Sequence, residues 1–156
     1  YSQYNAGEPI SDYNIERRSI SAYDVQAYNI RGYWYIDKRQ GELKYRLLGF
    51  APVVPDVNFI DDLTQPGIEL FWVWFPGARD ILHEAKAFNR KNTSMPISFD
   101  HLLNSRRFSG IVYKEDNVQG DRQVKEYINN NAMMQLLESN RIKEQIRDIE
   151  QDLWNY

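Results

Sequence analysis

Glu69–Phe88 reads ELFWVWFPGARDILHEAKAF, and the fold of the chain turns on it. Phe71, Val73 and Phe75 alternate with Leu70, Trp72 and Trp74, so a strand over about 69–75 is apolar on both faces. That is the pattern of a central strand covered on both sides. Pro76 and Gly77 then stop it. From about Ala78 a helix is expected, because Ile81, Leu82, Ala85 and Phe88 recur at helical spacing and share one face. On this reading Trp72 and Trp74 are core residues, and His83-Glu84 lies on the outward side of a packed helix.

Working back toward the N-terminus, Tyr23–Asp37 is strand-like. Tyr28, Ile30, Gly32, Trp34 and Ile36 occupy one parity, which reads as the buried one. Lys38–Gly41 is polar and ends in glycine, and Leu43, Tyr45 and Leu47 alternate again up to Pro52. The two runs predict a β-hairpin over about 23–53, with Trp34 and Tyr45 as cross-strand partners. Pro52–Gly67 is rich in proline, aspartate and asparagine and reads as a connection, long for a compact domain, that Val57, Phe59, Ile60 and Leu63 could tack down. Residues 1–19 mix tyrosine, asparagine, glycine and proline without periodicity. They are expected to form an extended arm or linker, with residues 20–156 as a single α+β domain.

Toward the C-terminus, Ser98 is an expected N-cap for a short helix through Phe99, Leu102, Leu103 and Arg106, with Asp100 in its first turn. A third strand is expected over about 108–114, followed by a helical turn over 122–128. The final segment is the most regular. Ile142, Ile146, Ile149 and Leu153 recur at spacings of a long amphipathic helix, with Met133, Leu136 and Leu137 leading into it. Glu144–Arg147 and Arg147–Glu150 are expected ion pairs, and Ser139-Asn140 is the place where the helix could break. The expected class is therefore α+β, a mainly antiparallel sheet covered by helices and closed by a long C-terminal amphipathic helix.

Composition narrows function by exclusion. The 156 residues carry a formal net charge of −3 with scattered basic residues, which gives no electrostatic footprint for nucleic acid. Cysteine is absent, which removes thiol catalysis, thiolate zinc sites and disulfides. No apolar run approaches the roughly 20 residues that span a bilayer. The chain opens at Tyr1 without methionine and is read as a processed chain or a fragment. Aromatic residues make up 14%, eleven of them tyrosines, a composition that suits interfaces as well as cores.

No catalytic constellation emerges. His83-Glu84 begins like HExxH, but the second histidine position is Ala87. Asp56, Asn58, Asp61 and Asp62 suggest calcium, yet the glycine position of an EF-hand loop is Asp61 and its closing acid is Gly67. Nucleophile elbows and phosphate loops are missing. Two chemical readings stay open: a carbohydrate-binding platform of Tyr33, Trp34 and Tyr35, and a carboxylate hydrolase pairing Glu69 with Asp80 or Glu84. No cofactor or metal ligand set is expected. For protein contacts, the N-terminal tyrosines Tyr1, Tyr4 and Tyr13 and the connection residues Phe59 and Ile60 are the candidates.

Four motifs resemble one family. They are the WYIDKR hairpin of residues 34–39, WVWFPGAR of 72–79, SFDHLLNSRRFSG of 98–110 with the following YKEDN, and ESNRIKEQI with DLW near the C-terminus. Together they resemble the gliding-motility GldN family, also called PorN, over about residues 20–156. The resemblance implies a non-enzymatic structural subunit of the type IX protein secretion and gliding machinery. Such a subunit is periplasmic, associated with the outer membrane through a lipoprotein, and self-associates in a ring with that lipoprotein, GldK or PorK. It also contacts the motor subunit GldM or PorM. Family members carry a further N-terminal region, so residues 1–19 would be the tail of it or a linker.

Overall fold

In the computed structural model, residues 5, 7, 19–57, 66–89, 94–116 and 120–154 are described. They fall into two compact units, one drawing on 1–30 and 50–73 and the other on 31–49 and 74–156. The class is α+β with antiparallel pairing and a long C-terminal helix, as the sequence patterns require.

The hairpin is the element both units share. Strand β1, Ala27–Asp37, turns through 38–41 into β2, Glu42–Val54. The Gln40 and Gly41 N–H groups donate to the Asp37 carbonyl, and Gly41 takes a φ of 65°, the left-handed conformation glycine adopts without steric cost. The Asp37 carboxylate accepts from the Arg39 N–H and from Lys44 Nζ at 3.0 Å, closing the turn. At the far end the Gln26 N–H donates to the Val53 carbonyl at 3.0 Å. Trp34 and Tyr45 meet midway, with ring centroids 5.2 Å apart and planes tilted by 57°, so the pair expected from the sequence forms. Burial alternates as expected over the middle of β1. Ile30, Gly32 and Trp34 are half-buried and Arg31, Tyr33 and Tyr35 exposed, while Tyr28 and Ile36, expected to be buried, are exposed.

In the first unit, Ala51 and Val54 of β2 are buried, and strand β3, Ile68–Glu69, pairs with β2 through Val53–Glu69 and Val54–Ile68. Gly67 makes this approach possible, since a Cβ there would stand 2.6 Å from Val53 Cγ1 and 2.9 Å from the Val54 carbonyl oxygen. The long strand expected over 69–75 does not form. The Leu70 N–H donates to the Pro52 carbonyl at 3.1 Å, but Pro52 has no N–H to return. The ladder lapses over Leu70–Trp72 and resumes only as β4, Val73–Trp74, which also pairs with β2. Phe71, Trp72 and Trp74 are consequently 61%, 46% and 61% exposed rather than in the core.

In the second unit, helix α1, Phe75–Glu84, starts directly at the end of β4, with Pro76 inside its first turn instead of ahead of the helix. Proline is accommodated there because that N–H has no intrahelical partner in any case. Phe75 is the buried residue of α1, whereas Ile81 and nearby Phe88, expected on its core face, are each 73% exposed. Strands β5, Lys86–Ala87, and β6, Ile97–Ser98, pair antiparallel and lead into α2, Phe99–Asn104. Ser98 caps α2 as expected, its Oγ accepting from the His101 N–H at 3.2 Å.

The strand expected over 108–114 is reduced to one bridge, Lys114 with Gln123. Side chains of the C-terminal helix take the place of a neighbouring strand. Ser139 Oγ accepts from the Val112 N–H at 2.8 Å, and Lys143 Nζ donates to the Gly110 carbonyl at 2.6 Å. Helix α3, Val124–Tyr127, buries Val124 and packs on α4, Ala132–Leu153. Ser139 does not break α4, because its hydroxyl is committed to Val112 rather than to its own backbone. Ser139 and Ile142 are the buried residues of α4, and the ion pairs found along it are Arg141–Glu138 and Arg147–Asp148 in place of those expected with Glu144 and Glu150.

Two stability outcomes follow from these positions. Ser139→Ala leaves the Val112 N–H without its acceptor and is expected to lower unfolding free energy by about 1 to 3 kcal/mol in urea titration. Trp72→Ala and Trp74→Ala, at exposed sites, are expected to cost about 1 kcal/mol or less by the same measurement.

Candidate protein-binding surfaces

The residues singled out for protein contact, Tyr1, Tyr4, Tyr13, Phe59 and Ile60, lie outside the described residues, as do Asn58, Asp61 and Asp62 of the suggested calcium loop. Among the described residues no group of three or more His, Cys, Asp or Glu side chains could hold a metal ion, and no helix is long and apolar enough to cross a membrane. His83 and Glu84 are exposed on α1. Glu69, offered above as a catalytic acid, is engaged by its neighbours: it accepts from Asn29 Nδ2 and, at 3.2 Å, from Trp72 Nε1.

The aromatic platform suggested for carbohydrate does not assemble from its three residues. Side chains alternate across a strand, so Tyr33 and Tyr35 share one face, with centroids 5.9 Å apart, and Trp34 points to the other. There Trp34 is already covered. The Arg106 guanidinium sits 4.5 Å from its ring centroid and 5.6 Å from that of Tyr45. Arg106 follows the end of α2 in a left-handed conformation, φ 50°, which aims its side chain back at the hairpin. Burial raises the Tyr45 hydroxyl pKa, with the Arg106 charge opposing.

What the described residues do present is exposed apolar surface. In the first unit it is Ile68, Leu70, Phe71 and Trp72, on the stretch where the ladder lapses. In the second unit it is the start of α4, where Met133, Met134, Leu136 and Leu137 are between 48% and 73% exposed. Consecutive exposed large side chains of this kind mark association surfaces rather than solvent-facing decoration. Sequence reading placed Leu70, Phe71 and Trp72 in a covered central strand and read Met133, Leu136 and Leu137 as the lead into the amphipathic helix. The proline in the partner strand was the available signal for the first.

The polar contacts of the second unit are structural. Arg79 on α1 makes a two-point contact with Asp100 on α2, Nε to Oδ1 at 2.8 Å and Nη2 to Oδ2 at 3.1 Å, joined by Asn104 Nδ2. The Arg79 contact holds the Asp100 carboxyl below its ordinary value of 3.8. Arg141 likewise lowers Glu138, which also accepts from the Tyr127 hydroxyl, while burial, followed by the Glu138 charge, raises Tyr127.

Comparison with known proteins gives one result. A family model described as "Gliding motility associated protein GldN" matches residues 1–155, including the N-terminal stretch that the motifs themselves left out. Comparison with curated proteins and with solved structures gave no match.

Two measurements check this geometry. Because Asp100 has a lowered folded-state pKa, its stabilisation is present above pH 3.8 and is lost as pH falls through the folded value. Arg79→Ala should therefore flatten the acid limb of the stability–pH curve. Arg106→Ala should lower stability by about 0.5 to 1 kcal/mol, and Arg106→Gly by less, since glycine accepts the left-handed backbone that alanine does not.

Proposed function

The chain belongs to the GldN family of gliding motility associated proteins, and on that footing we propose that it is a non-enzymatic structural subunit of the type IX secretion and gliding machinery. It works in the periplasm, held at the outer membrane by a lipoprotein of the GldK or PorK type, with which it builds a ring. It also contacts a motor subunit of the GldM or PorM type. The family match over residues 1–155 carries this reading. The exposed apolar stretches agree with it, because a subunit that transmits force through protein contacts needs surface that is desolvated only in the assembly. Aromatic and aliphatic anchors such as Phe71, Trp72, Leu136 and Leu137 are the residues expected to dominate the binding energy, ahead of rim charges.

Co-expression with the lipoprotein and the motor subunit tests it. The chain should co-purify with both, and a Phe71→Ser/Trp72→Ser variant or a Leu136→Ser/Leu137→Ser variant that keeps its circular dichroism spectrum should lose at least one of them. Full recovery of both partners by both folded variants would remove these surfaces, and no co-purification of the parent chain would remove the assembly itself.

A further inference from the structure

The outer edge of β1 is a second, independent surface. β2 pairs with β1 on one side and with β3 and β4 on the other, so β1 ends the sheet, and among the described residues no hydrogen bond is made along its far side. In an antiparallel pair hydrogen-bonded residues alternate, so every second residue of β1 turns its N–H and C=O groups outward. Between Arg31 and Asp37 the edge, Gly32–Ile36, carries no charge and three aromatic residues. Natural edges of this character are covered.

We propose that a second copy of this chain covers it, pairing antiparallel along Arg31–Asp37 about a two-fold axis at Trp34. The sequence of this stretch, RGYWYID, is complementary to its own reverse. With Trp34 opposite Trp34 of the second copy, Tyr33 meets Tyr35 and Arg31 meets Asp37, each twice. Their side chains lie together on one exposed face, where Tyr33 and Tyr35 already stand 5.9 Å apart. Registers shifted by one residue of the axis, to Tyr33 or Tyr35, oppose Arg31 to Tyr35 or Asp37 to Tyr33 and lose both charge pairs. Arg31 makes no ion pair among the described residues, while Asp37 is held charged by Lys44. Opposite charges directly across a strand pair attract and like charges repel. The contact is isologous and closes at two copies. It therefore joins copies in pairs and does not itself extend a ring, which makes it independent of the assembly proposed above.

Sedimentation equilibrium on the 156-residue chain over a wide concentration range is the test. The parent should show a monomer–dimer equilibrium. Arg31→Asp, at an exposed position, puts like charges opposite each other twice and should raise the midpoint at least about tenfold. Asp37→Arg should do the same, and an equimolar mixture of the two variants should regain the dimer because every pair is again opposite in sign. Should Asp37→Arg fail to fold, having lost the Arg39 and Lys44 contacts, the Arg31→Asp result decides alone. A parent that stays monomeric throughout, or an Arg31→Asp chain that dimerises like the parent, overturns the proposal. So does a parent whose β1 edge takes up a strand from a different protein in preference to a second copy.

Discussion

Pro52 sits inside the strand that has to satisfy hydrogen-bonding partners on two sides. β2 meets β1 along one edge and β3 and β4 along the other, and a residue without an N–H can answer only one half of a hydrogen-bonded pair. Its carbonyl accepts from Leu70, but Leu70 receives nothing back. The following chain leaves the sheet for three residues, which carries Leu70, Phe71 and Trp72 out of the interior. An apolar stretch of the sequence thereby becomes surface, and the buried apolar residues among the described ones are Leu47, Ala51 and Val54 on β2, Phe75 on α1, Ala87, Val124 and Ile142.

Local signals were read well from the sequence and long-range ones poorly. The hairpin, its turn at Gly41, the Trp34–Tyr45 pair, the Ser98 cap and the terminal helix each depend on residues close in sequence or on a strict period. The misread elements depend on a partner elsewhere. A strand over 69–75 requires a neighbour able to donate along its whole length, and Pro52 is not. A strand over 108–114 requires another strand beside it, and Ser139 and Lys143 of α4 supply hydrogen bonds there instead. Ser139 was read as a weak point of the helix for the same reason: its propensity is visible in the sequence and its acceptor role is not. As for function, the four motifs were enough to identify the family, while the surfaces on β3–β4 and α4 were hidden behind a pattern that ordinarily means burial. The residues chosen for contact, from Tyr1 to Ile60, fall outside the described part of the chain.

The two kinds of exposed surface differ in physics. Side-chain patches on 68–72 and at the start of α4 give area without direction and suit partners that dock by shape and desolvation. The β1 edge gives direction and register through backbone hydrogen bonds, with little area, and so specifies an orientation between chains.

Residue-resolved amide hydrogen exchange along β1 at low and high protein concentration tests the open edge most directly. At low concentration alternate amides over Arg31–Asp37, those turned to β2, should be protected and the others should exchange freely; raising the concentration should protect the second set selectively. Uniform protection along β1 at every concentration, or free exchange of the second set at every concentration, would contradict the account.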